Sequence, residues 1–177
     1  MEINGNTEID KSEIQTQQII SDIDILSTEY PPPCWIVPGL LPEGLTVLAG
    51  KPKIGKSMLS LNLSVSISTG GIALGQVSVE QKDVLYLALE DTPRRIQDRI
   101  SQSLQGSSPT GRLNFAFSWP KMDGTGLEEL DRWLDVHPDA GLVVIDTLAR
   151  IRGPKRNGST LYDADYDDLC RIKSIWP

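Results

Sequence analysis

Short, continuously apolar segments alternate with helix-like segments after Cys34, and this alternation limits the folds open to the chain. Four segments have strand character: Leu45–Ala49, Val84–Leu89, Leu113–Phe117 and Leu142–Ile145. Strands that lack a polar face are buried on both sides, as in a parallel sheet between layers of helices. We therefore predict an α/β fold in which a mainly parallel sheet is covered by helices on both faces.

A predicted helix follows each of these strands. The four helices cover Lys56–Ser68, Pro93–Leu104, Gly126–Val136 and Tyr162–Ile175. The second has Thr92 as a candidate N-cap and Pro93 at its first position, which is typical of a helix start. In open parallel sheets, ligands bind beyond the carboxyl ends of the strands. The residues that follow the strands are therefore the candidates for a functional site.

The segment between the first predicted strand and its helix, residues 50–57, reads Gly-Lys-Pro-Lys-Ile-Gly-Lys-Ser and fits the phosphate-loop pattern G-x-x-x-x-G-K-[ST]. The glycines let main-chain N–H groups converge on phosphate oxygens, and the helix directs its positive dipole end at the same place. In this pattern Lys56 reaches the β- and γ-phosphates, and the Ser57 hydroxyl binds Mg²⁺. The alternative is a glycine-rich turn with solvated lysines. The predicted nucleotide-binding residues are Gly50, Lys51, Pro52, Lys53, Ile54, Gly55, Lys56, Ser57 and Met58.

A candidate metal ligand stands at the end of the last predicted strand. Asp146 directly follows Leu142–Ile145, and a phosphate-loop hydrolase needs a second group to hold its metal. We predict that Asp146 and Ser57 share the Mg²⁺ ion; the alternative is that Asp146 only caps the next element. The residue after Asp146 is Thr147, not Glu, so the acid that activates water is expected elsewhere in the chain.

Glu90 is the candidate for that acid. It ends the strand Val84–Leu89, and a carboxylate at a strand end lies where ligands bind. If this strand neighbours the strand before the phosphate loop, Glu90 projects toward the γ-phosphate. The predicted catalytic residues are therefore Glu90 and Lys56. The alternative is that Glu90 and Asp91 only cap the following helix.

From about residue 33 onward, the chain resembles the RecA-like ATPases of plasmid and phage replication, the RepA-type hexameric helicase group. The segments that carry the resemblance are LPEGLTVLAGKPKIGKS, DVLYLALEDTPRRIQDRI, WPKMDGTGLEELDRWL, GLVVIDTLARIRG and YDADYDDL. The resemblance implies a RecA-like fold, ATP and Mg²⁺ at the interfaces of a homo-oligomeric ring, expected to be a hexamer, and single-stranded DNA in the central channel. It also implies that Lys56, Ser57, Glu90 and Asp146 have the roles given above.

A basic segment follows Asp146. It contains Arg150, Arg152, Lys155 and Arg156 and is interrupted by Gly and Pro. In RecA-like motors the matching loop faces the channel and touches the DNA backbone, so the resemblance implies DNA contact by these four residues. Such contacts are electrostatic and independent of base sequence. The alternative is an ordinary solvated loop, since the segment holds no aromatic side chain to stack on bases.

The net charge of −7 is concentrated at the N-terminus. Residues 1–30 contain seven acidic residues and one basic residue, so the rest of the chain is nearly neutral. Three consecutive prolines, residues 31–33, then favour an extended segment and a boundary. We predict an acidic, partly disordered leader over residues 1–30 and the ATPase core over residues 31–177.

The sequence also predicts a cytoplasmic protein that has no membrane partner. It contains no run of eighteen apolar residues and no secretory signal. Cys34 and Cys170 lie far apart, and we expect two buried thiols in a reducing compartment, with a disulfide as the alternative.

RecA-like domains continue beyond the point that corresponds to Pro177, with a further central strand, so we expect the core to be incomplete at its C-terminus. The leading functional prediction is a DNA-dependent ATPase, a helicase-type motor of plasmid or phage replication. One alternative is a truncated nucleotide-binding module with little hydrolysis, which regulates or joins a full-length homologue. A small-molecule kinase is the other. Stimulation of ATP hydrolysis by single-stranded DNA separates the first from the other two.

Overall fold

The computed structural model describes residues 19–153 and 160–175. The chain divides into two units, Met1–Pro32 and Pro33–Pro177. In the described part of the first unit, Asp22–Ser27 forms helix α1. Ser21 is its N-cap, and the Ser21 hydroxyl accepts a hydrogen bond of 3.2 Å from the N–H of Asp24. Most of the predicted acidic leader lies outside the described residues.

The second unit alternates strands and helices, as predicted. Its strands are β1 (Trp35–Val37), β2 (Leu41–Pro42), β3 (Ile72–Ala73), β4 (Val77–Ser78), β5 (Asp83–Ala88), β6 (Leu113–Ala116) and β7 (Ala140–Asp146). Its helices are α2 (Lys56–Thr69), α3 (Pro93–Leu104), α4 (Thr125–Val136), α5 (Leu148–Ile151) and α6 (Leu161–Ile175). Within the described ranges, no helix is both long and apolar enough to cross a bilayer.

The central sheet is parallel and has the order β6-β5-β7. Strand β5 is its middle strand, and Tyr86 is paired with Phe115 on one side and Val144 on the other. Two antiparallel pairs, β1 with β2 and β3 with β4, lie outside this sheet and were not predicted. All three strands of the sheet run in one direction, so their carboxyl ends share one edge.

Helices cover both faces of the sheet, and the side chains of β5 alternate between them. Tyr86 and Ala88 belong to a buried cluster with Leu61 of α2 and Ile96 of α3. The intervening side chains of β5, Leu85 and Leu87, belong to another cluster with Leu130 of α4, Ile151 of α5 and Ile172 of α6. The predicted α/β fold with helices on both faces is confirmed.

The prediction of a first strand over Leu45–Ala49 is wrong, because these residues are not part of any strand. The side chains of Leu45, Val47 and Leu48 are 42%, 63% and 48% exposed. A strand needs a neighbour to complete its main-chain hydrogen bonds. The parallel sheet consists of β6, β5 and β7, and the segment pairs with none of these strands. The apolar composition of the segment predicted strand character but could not show that a pairing partner was present.

Both cysteines are free, and both are exposed. The prediction of buried thiols is therefore wrong for Cys34 and Cys170. Cys34 directly follows the three prolines and precedes β1, while Cys170 lies on an exposed position of α6.

Four charged side chains join the three strands at the edge opposite their carboxyl ends. Asp139 lies just before β7 and accepts hydrogen bonds from Lys82 Nζ at 2.7 Å and from Arg112 at 2.8 Å. Arg112 also lies 2.9 Å from Asp83, the first residue of β5. The hydrogen bond from Lys82 lowers the pKa of Asp139, and the same bond raises the pKa of Lys82. This network holds the amino ends of β5, β6 and β7 together.

Candidate functional site

The phosphate-loop segment leads into helix α2 through a residue in the left-handed region. Gly55, the N-cap of α2, has φ 95°, which glycine adopts far more readily than other residues. Its carbonyl accepts a hydrogen bond of 2.9 Å from the N–H of Leu59 and so starts the helix. No side chain caps the first turn of α2. The first N–H groups of the helix, with the positive end of its dipole, therefore form a potential anion site.

Lys56 contacts the loop that precedes it. Its Nζ donates hydrogen bonds to the carbonyl oxygens of Gly50, at 2.8 Å, and Lys51, at 2.9 Å. The ammonium group is thus held against the main chain of the first two residues of the motif. Two predicted nucleotide-binding side chains next to it, Ile54 and Met58, are 63% and 38% exposed.

Asp146 is the last residue of β7, at the carboxyl edge of the sheet. The Tyr86 hydroxyl lies 2.9 Å from Asp146 Oδ2 and 3.4 Å from the carbonyl oxygen of Ser57. One buried hydroxyl therefore contacts both of the residues predicted to bind Mg²⁺. The structure thus places the carboxylate of Asp146 and the main chain of Ser57 on either side of one hydroxyl, and the shared metal stays a prediction.

Tyr86 is a residue of this site that sequence reasoning missed. Its side chain is 1% exposed, although its hydroxyl is polar. Burial, and then the negative charge of Asp146, raise the pKa of Tyr86 well above its usual value, so the phenol remains a hydrogen-bond donor. The one available signal was a hydroxyl in the middle of the otherwise apolar segment Val84–Leu89, since such a group needs a partner once it is buried.

Glu90 lies just beyond β5, at the same edge of the sheet. Its side chain is 54% exposed, and its Oε1 lies 3.3 Å from Nε of Arg150. Glu90 was predicted to project toward the γ-phosphate if its strand neighboured the segment before the phosphate loop. That condition is not met, because the neighbours of β5 are β6 and β7. The structure thus pairs Glu90 with the basic segment, and its role as a base stays a prediction.

Asp91, next to Glu90, does not act as the helix cap. Thr92 is the N-cap of α3, as predicted, and its hydroxyl accepts a hydrogen bond from the N–H of Arg95. The carboxylate of Asp91 is instead paired with Arg95, at 2.9 Å, and with Arg99. These contacts fix the start of α3 against the turn that carries Glu90.

The basic segment is tied to α6 by two acidic residues. The guanidinium group of Arg152 bonds to both carboxylate oxygens of Asp165, one of them at 2.9 Å. The N–H of Gly153 donates to the buried carboxylate of Asp168 at 3.0 Å. The guanidinium group of Arg152, a predicted DNA contact, is thus paired with an acidic side chain of the same chain. Two further predicted contacts, Lys155 and Arg156, lie outside the described residues.

One acidic residue near the start of α6, Asp163, caps that helix together with Thr160. Thr160 donates through its N–H and its hydroxyl to the carboxylate of Asp163, at 2.7 and 2.8 Å. The N–H of Asp163 donates in return to the Thr160 hydroxyl at 3.2 Å. The bonds from Thr160 lower the pKa of Asp163. This reciprocal pattern is that of a capping box.

In residues 19–153 and 160–175, no group of three or more His, Cys, Asp or Glu side chains could hold a metal ion. A protein cage for a metal is therefore not formed by this part of the chain. The hydroxyl of Ser57 and the carboxylate of Asp146 offer hard oxygen ligands on two elements that meet at Tyr86. Mg²⁺ is characteristically held by one or two such ligands together with substrate phosphates, so the residues present fit this ion.

Comparison with known proteins gives two matches. The chain is 28% identical over 145 residues to a replicative DNA helicase DnaB of Buchnera aphidicola subsp. Schizaphis graminum (strain Sg). The aligned region covers 77% of this chain but 29% of the helicase. Residues 10–173 match the family AAA_25, described as an AAA domain. Since that match extends over most of the sequence, from before α1 to the last turn of α6, the chain belongs to the AAA-domain family.

Proposed function

We propose that this chain binds ATP with Mg²⁺ and hydrolyses it as part of a DNA-dependent, helicase-type motor. One observation carries the proposal: the Tyr86 hydroxyl contacts both the second residue of α2 and the carboxylate at the end of β7. The last residue of the phosphate loop and the strand-end carboxylate are therefore linked through one hydroxyl at the carboxyl ends of the strands. This arrangement is the one a phosphate-loop hydrolase needs for its metal.

The phosphate loop would bind the triphosphate through main-chain N–H groups and Lys56. The uncapped first turn of α2 and the left-handed Gly55 favour binding of a phosphate group. On nucleotide binding, Lys56 would exchange its bonds to the Gly50 and Lys51 carbonyls for phosphate oxygens. Ser57 and Asp146 would hold Mg²⁺, which when bound neutralises developing charge on the phosphates.

Glu90 is our candidate for the base that receives a proton from the attacking water. It lies on the same edge as Asp146 and is solvent-accessible, with 54% of its side chain exposed. While Arg150 is bonded to Oε1, that oxygen is not available to the attacking water, so Arg150 would need to move away for full activity. Positioned carboxylate bases of this kind typically contribute about 10²–10⁴-fold to a rate.

Single-stranded DNA is the proposed partner, and a homo-oligomeric ring, expected to be a hexamer, is the proposed assembly. The support is the resemblance to RecA-like replication ATPases and the similarity to a replicative helicase. Of the two described cations of the basic segment, Arg150 is better placed than Arg152 for a phosphate contact, because 60% of its side chain is exposed. Arg152 is excluded from this role as long as it remains paired with Asp165.

A nucleotide-binding module with little hydrolysis, which regulates or joins a longer homologue, is the second candidate. The observation that favours it is the contact between Glu90 and Arg150, since the carboxylate oxygen that Arg150 contacts is not available to water. In this case nucleotide would bind normally, but turnover would be slow with or without DNA.

The test measures nucleotide affinity and steady-state ATP hydrolysis for the 177-residue chain, with and without single-stranded DNA. Lys56→Met should weaken ATP binding by at least about tenfold, because a charge-assisted phosphate contact is lost. Lys173→Met, on an exposed position of α6, is the matched control and should bind as the wild type does. Binding with DNA-stimulated turnover supports the motor, binding without turnover supports the module, and no binding overturns both.

A further inference from the structure

Tyr86 occupies the centre of the sheet, on the face covered by α2 and α3. Its ring lies in the buried cluster with Leu61 and Ile96, and its centroid is 5.6 Å from that of Phe115 on β6. A phenylalanine would fill the same apolar space. A hydroxyl at this depth must find a hydrogen-bond partner, because an unpaired buried polar group is costly. The hydroxyl is what distinguishes tyrosine from phenylalanine at this position, and its hydrogen bonds therefore indicate its role.

The hydroxyl has two oxygen neighbours but a single proton. The shorter contact, 2.9 Å to Asp146 Oδ2, has the length of a good hydrogen bond, whereas the contact to the Ser57 carbonyl is 3.4 Å long. The proton therefore goes mainly to Asp146. Because the rotation of a carboxylate about its last bond is only loosely restricted, one bond to Oδ2 limits the directions in which Oδ1 can point.

We propose that Tyr86 is a positioning residue for the metal-binding carboxylate. Its hydroxyl holds Oδ2 of Asp146 and so leaves Oδ1 as the carboxylate oxygen that would be available to Mg²⁺. This inference rests on the proposed function, because it assumes that Mg²⁺ accompanies a nucleotide at the phosphate loop. Groups that orient a metal ligand typically change metal affinity about 10–100-fold when they are removed.

The first test compares wild type with Tyr86→Phe, using the fluorescent nucleotide N-methylanthraniloyl-ADP. The dissociation constant is measured in excess Mg²⁺ and in excess EDTA. The EDTA value divided by the Mg²⁺ value, the EDTA-to-Mg²⁺ ratio, reports the contribution of the metal. In Tyr86→Phe the ratio should fall by about tenfold, while the affinity in EDTA stays unchanged. Tyr30→Phe, at a tyrosine that is 63% exposed, is the matched control and should behave as the wild type does.

The results separate this inference from the function on which it rests. If the wild type binds no nucleotide, the proposed function fails and the role of Tyr86 fails with it. If the wild type shows a metal-dependent affinity and Tyr86→Phe shows the same ratio, only the positioning role is overturned. A loss that is equal in Mg²⁺ and EDTA would also overturn it, because it would mean general damage to the site.

A double-mutant comparison tests whether Tyr86 acts through Asp146. Asp146→Asn should itself lower the EDTA-to-Mg²⁺ ratio of dissociation constants, because it removes the charge that binds the ion. In the Asp146→Asn background, Tyr86→Phe should have little further effect, since two residues that act as one unit are not additive. Independent, additive losses would show that Tyr86 supports the fold but does not position the carboxylate.

A second measurement does not require Tyr86→Phe to fold. The otherwise wild-type chain is labelled with 3-fluorotyrosine and observed by ¹⁹F NMR. Asp146→Asn should shift the resonance of the tyrosine that is bonded to residue 146. Addition of Mg²⁺ and ADP to the wild type should shift the same resonance. If no single resonance responds to both changes, the proposal is overturned.

Discussion

The guanidinium Nε of Arg150 lies 3.3 Å from Oε1 of Glu90, so the first cation of the basic segment contacts the candidate catalytic base. Both side chains are more than half exposed, and such a pair contributes at most about 1 kcal/mol. A DNA phosphate could therefore displace Glu90 from Arg150 at little cost. We expect Arg150→Ala to raise the rate of ATP hydrolysis in the absence of DNA by at most about fivefold. The ratio of the rates with and without single-stranded DNA should fall toward one.

The control for this experiment is Arg132→Ala. Arg132 forms an exposed ion pair with Glu129 on α4, so this variant removes a similar pair away from the site. Steady-state hydrolysis is measured over a range of oligonucleotide concentrations at two salt concentrations, since phosphate contacts weaken with salt. An Arg150→Ala variant with wild-type basal rate and wild-type stimulation would show that this contact does not link DNA to Glu90.

Glu90→Gln separates nucleotide binding from turnover. The amide keeps the size of the side chain and one acceptor oxygen but cannot accept a proton at neutral pH. We expect a loss of about 10²-fold or more in turnover, with nucleotide affinity within about twofold of the wild type. Binding is followed by fluorescence titration and turnover by phosphate release. Wild-type turnover in this variant would contradict the assignment and place the base elsewhere.

The fold could be predicted from sequence where local signals and burial agree. Helix α3 begins and ends at the predicted residues, Pro93 and Leu104, because a threonine cap and a first-position proline mark its start. Strands β5 and β7 were predicted to within two residues at each end, since their apolar sequences match burial between two layers of helices. Leu45–Ala49 carries the same apolar signal but forms no strand, because pairing depends on a neighbour that composition cannot reveal.

The site could be predicted only in part. The position of Asp146 at the carboxyl end of a parallel strand, where ligands gather, was predicted and is found, and its part in binding a metal stays a prediction. Tyr86 was not foreseen, because its role depends on the strand order that brings β5 beside β7. The pairing of Arg152 with Asp165 was also not foreseen, since it depends on how α6 returns to the basic segment. Relationships between distant elements are set by tertiary packing and not by local pattern.

The charge network at the other edge of the sheet gives a prediction for pH. The pKa of Asp139 is lowered in the folded chain, so ionised Asp139 stabilises the fold at pH values above its ordinary pKa of 3.8. This contribution is lost as the pH falls through the still lower pKa of the folded state. Asp139→Asn should therefore lower the urea midpoint relative to wild type at pH 5–7, and the difference should shrink below pH 3.8.

The matched control for this series is Asp98→Asn, at an exposed position of α3. Urea unfolding is followed by circular dichroism at several pH values, and the difference in midpoint between each variant and wild type is compared. A difference for Asp139→Asn that stays constant from pH 7 to pH 2.5 would mean that the ionised carboxylate does not contribute, and that the substitution acts by another route.

The two glycines of the phosphate loop should not be equivalent. Gly55 has φ 95°, and an alanine forced into the left-handed region costs about 1–2 kcal/mol. A Cβ at Gly50 would lie 2.5 Å from Cδ1 of Ile54, but that atom is the end of a flexible side chain that is 63% exposed. We therefore expect Gly55→Ala to lower the free energy of unfolding by about 1–2 kcal/mol, and Gly50→Ala to change it by less than about 0.5 kcal/mol.

Nucleotide affinity should also be lowered more by Gly55→Ala than by Gly50→Ala, because strain at position 55 would move the N–H groups that start α2. Isothermal titration with ADP and Mg²⁺, beside urea unfolding of the same samples, gives both quantities for each variant. We expect Gly55→Ala to bind at least about tenfold more weakly than Gly50→Ala, since a displaced charge-assisted hydrogen bond is worth about 1.5–3 kcal/mol. Equal losses at the two positions would mean that close approach of phosphate to both glycines, and not the backbone conformation of Gly55, limits binding.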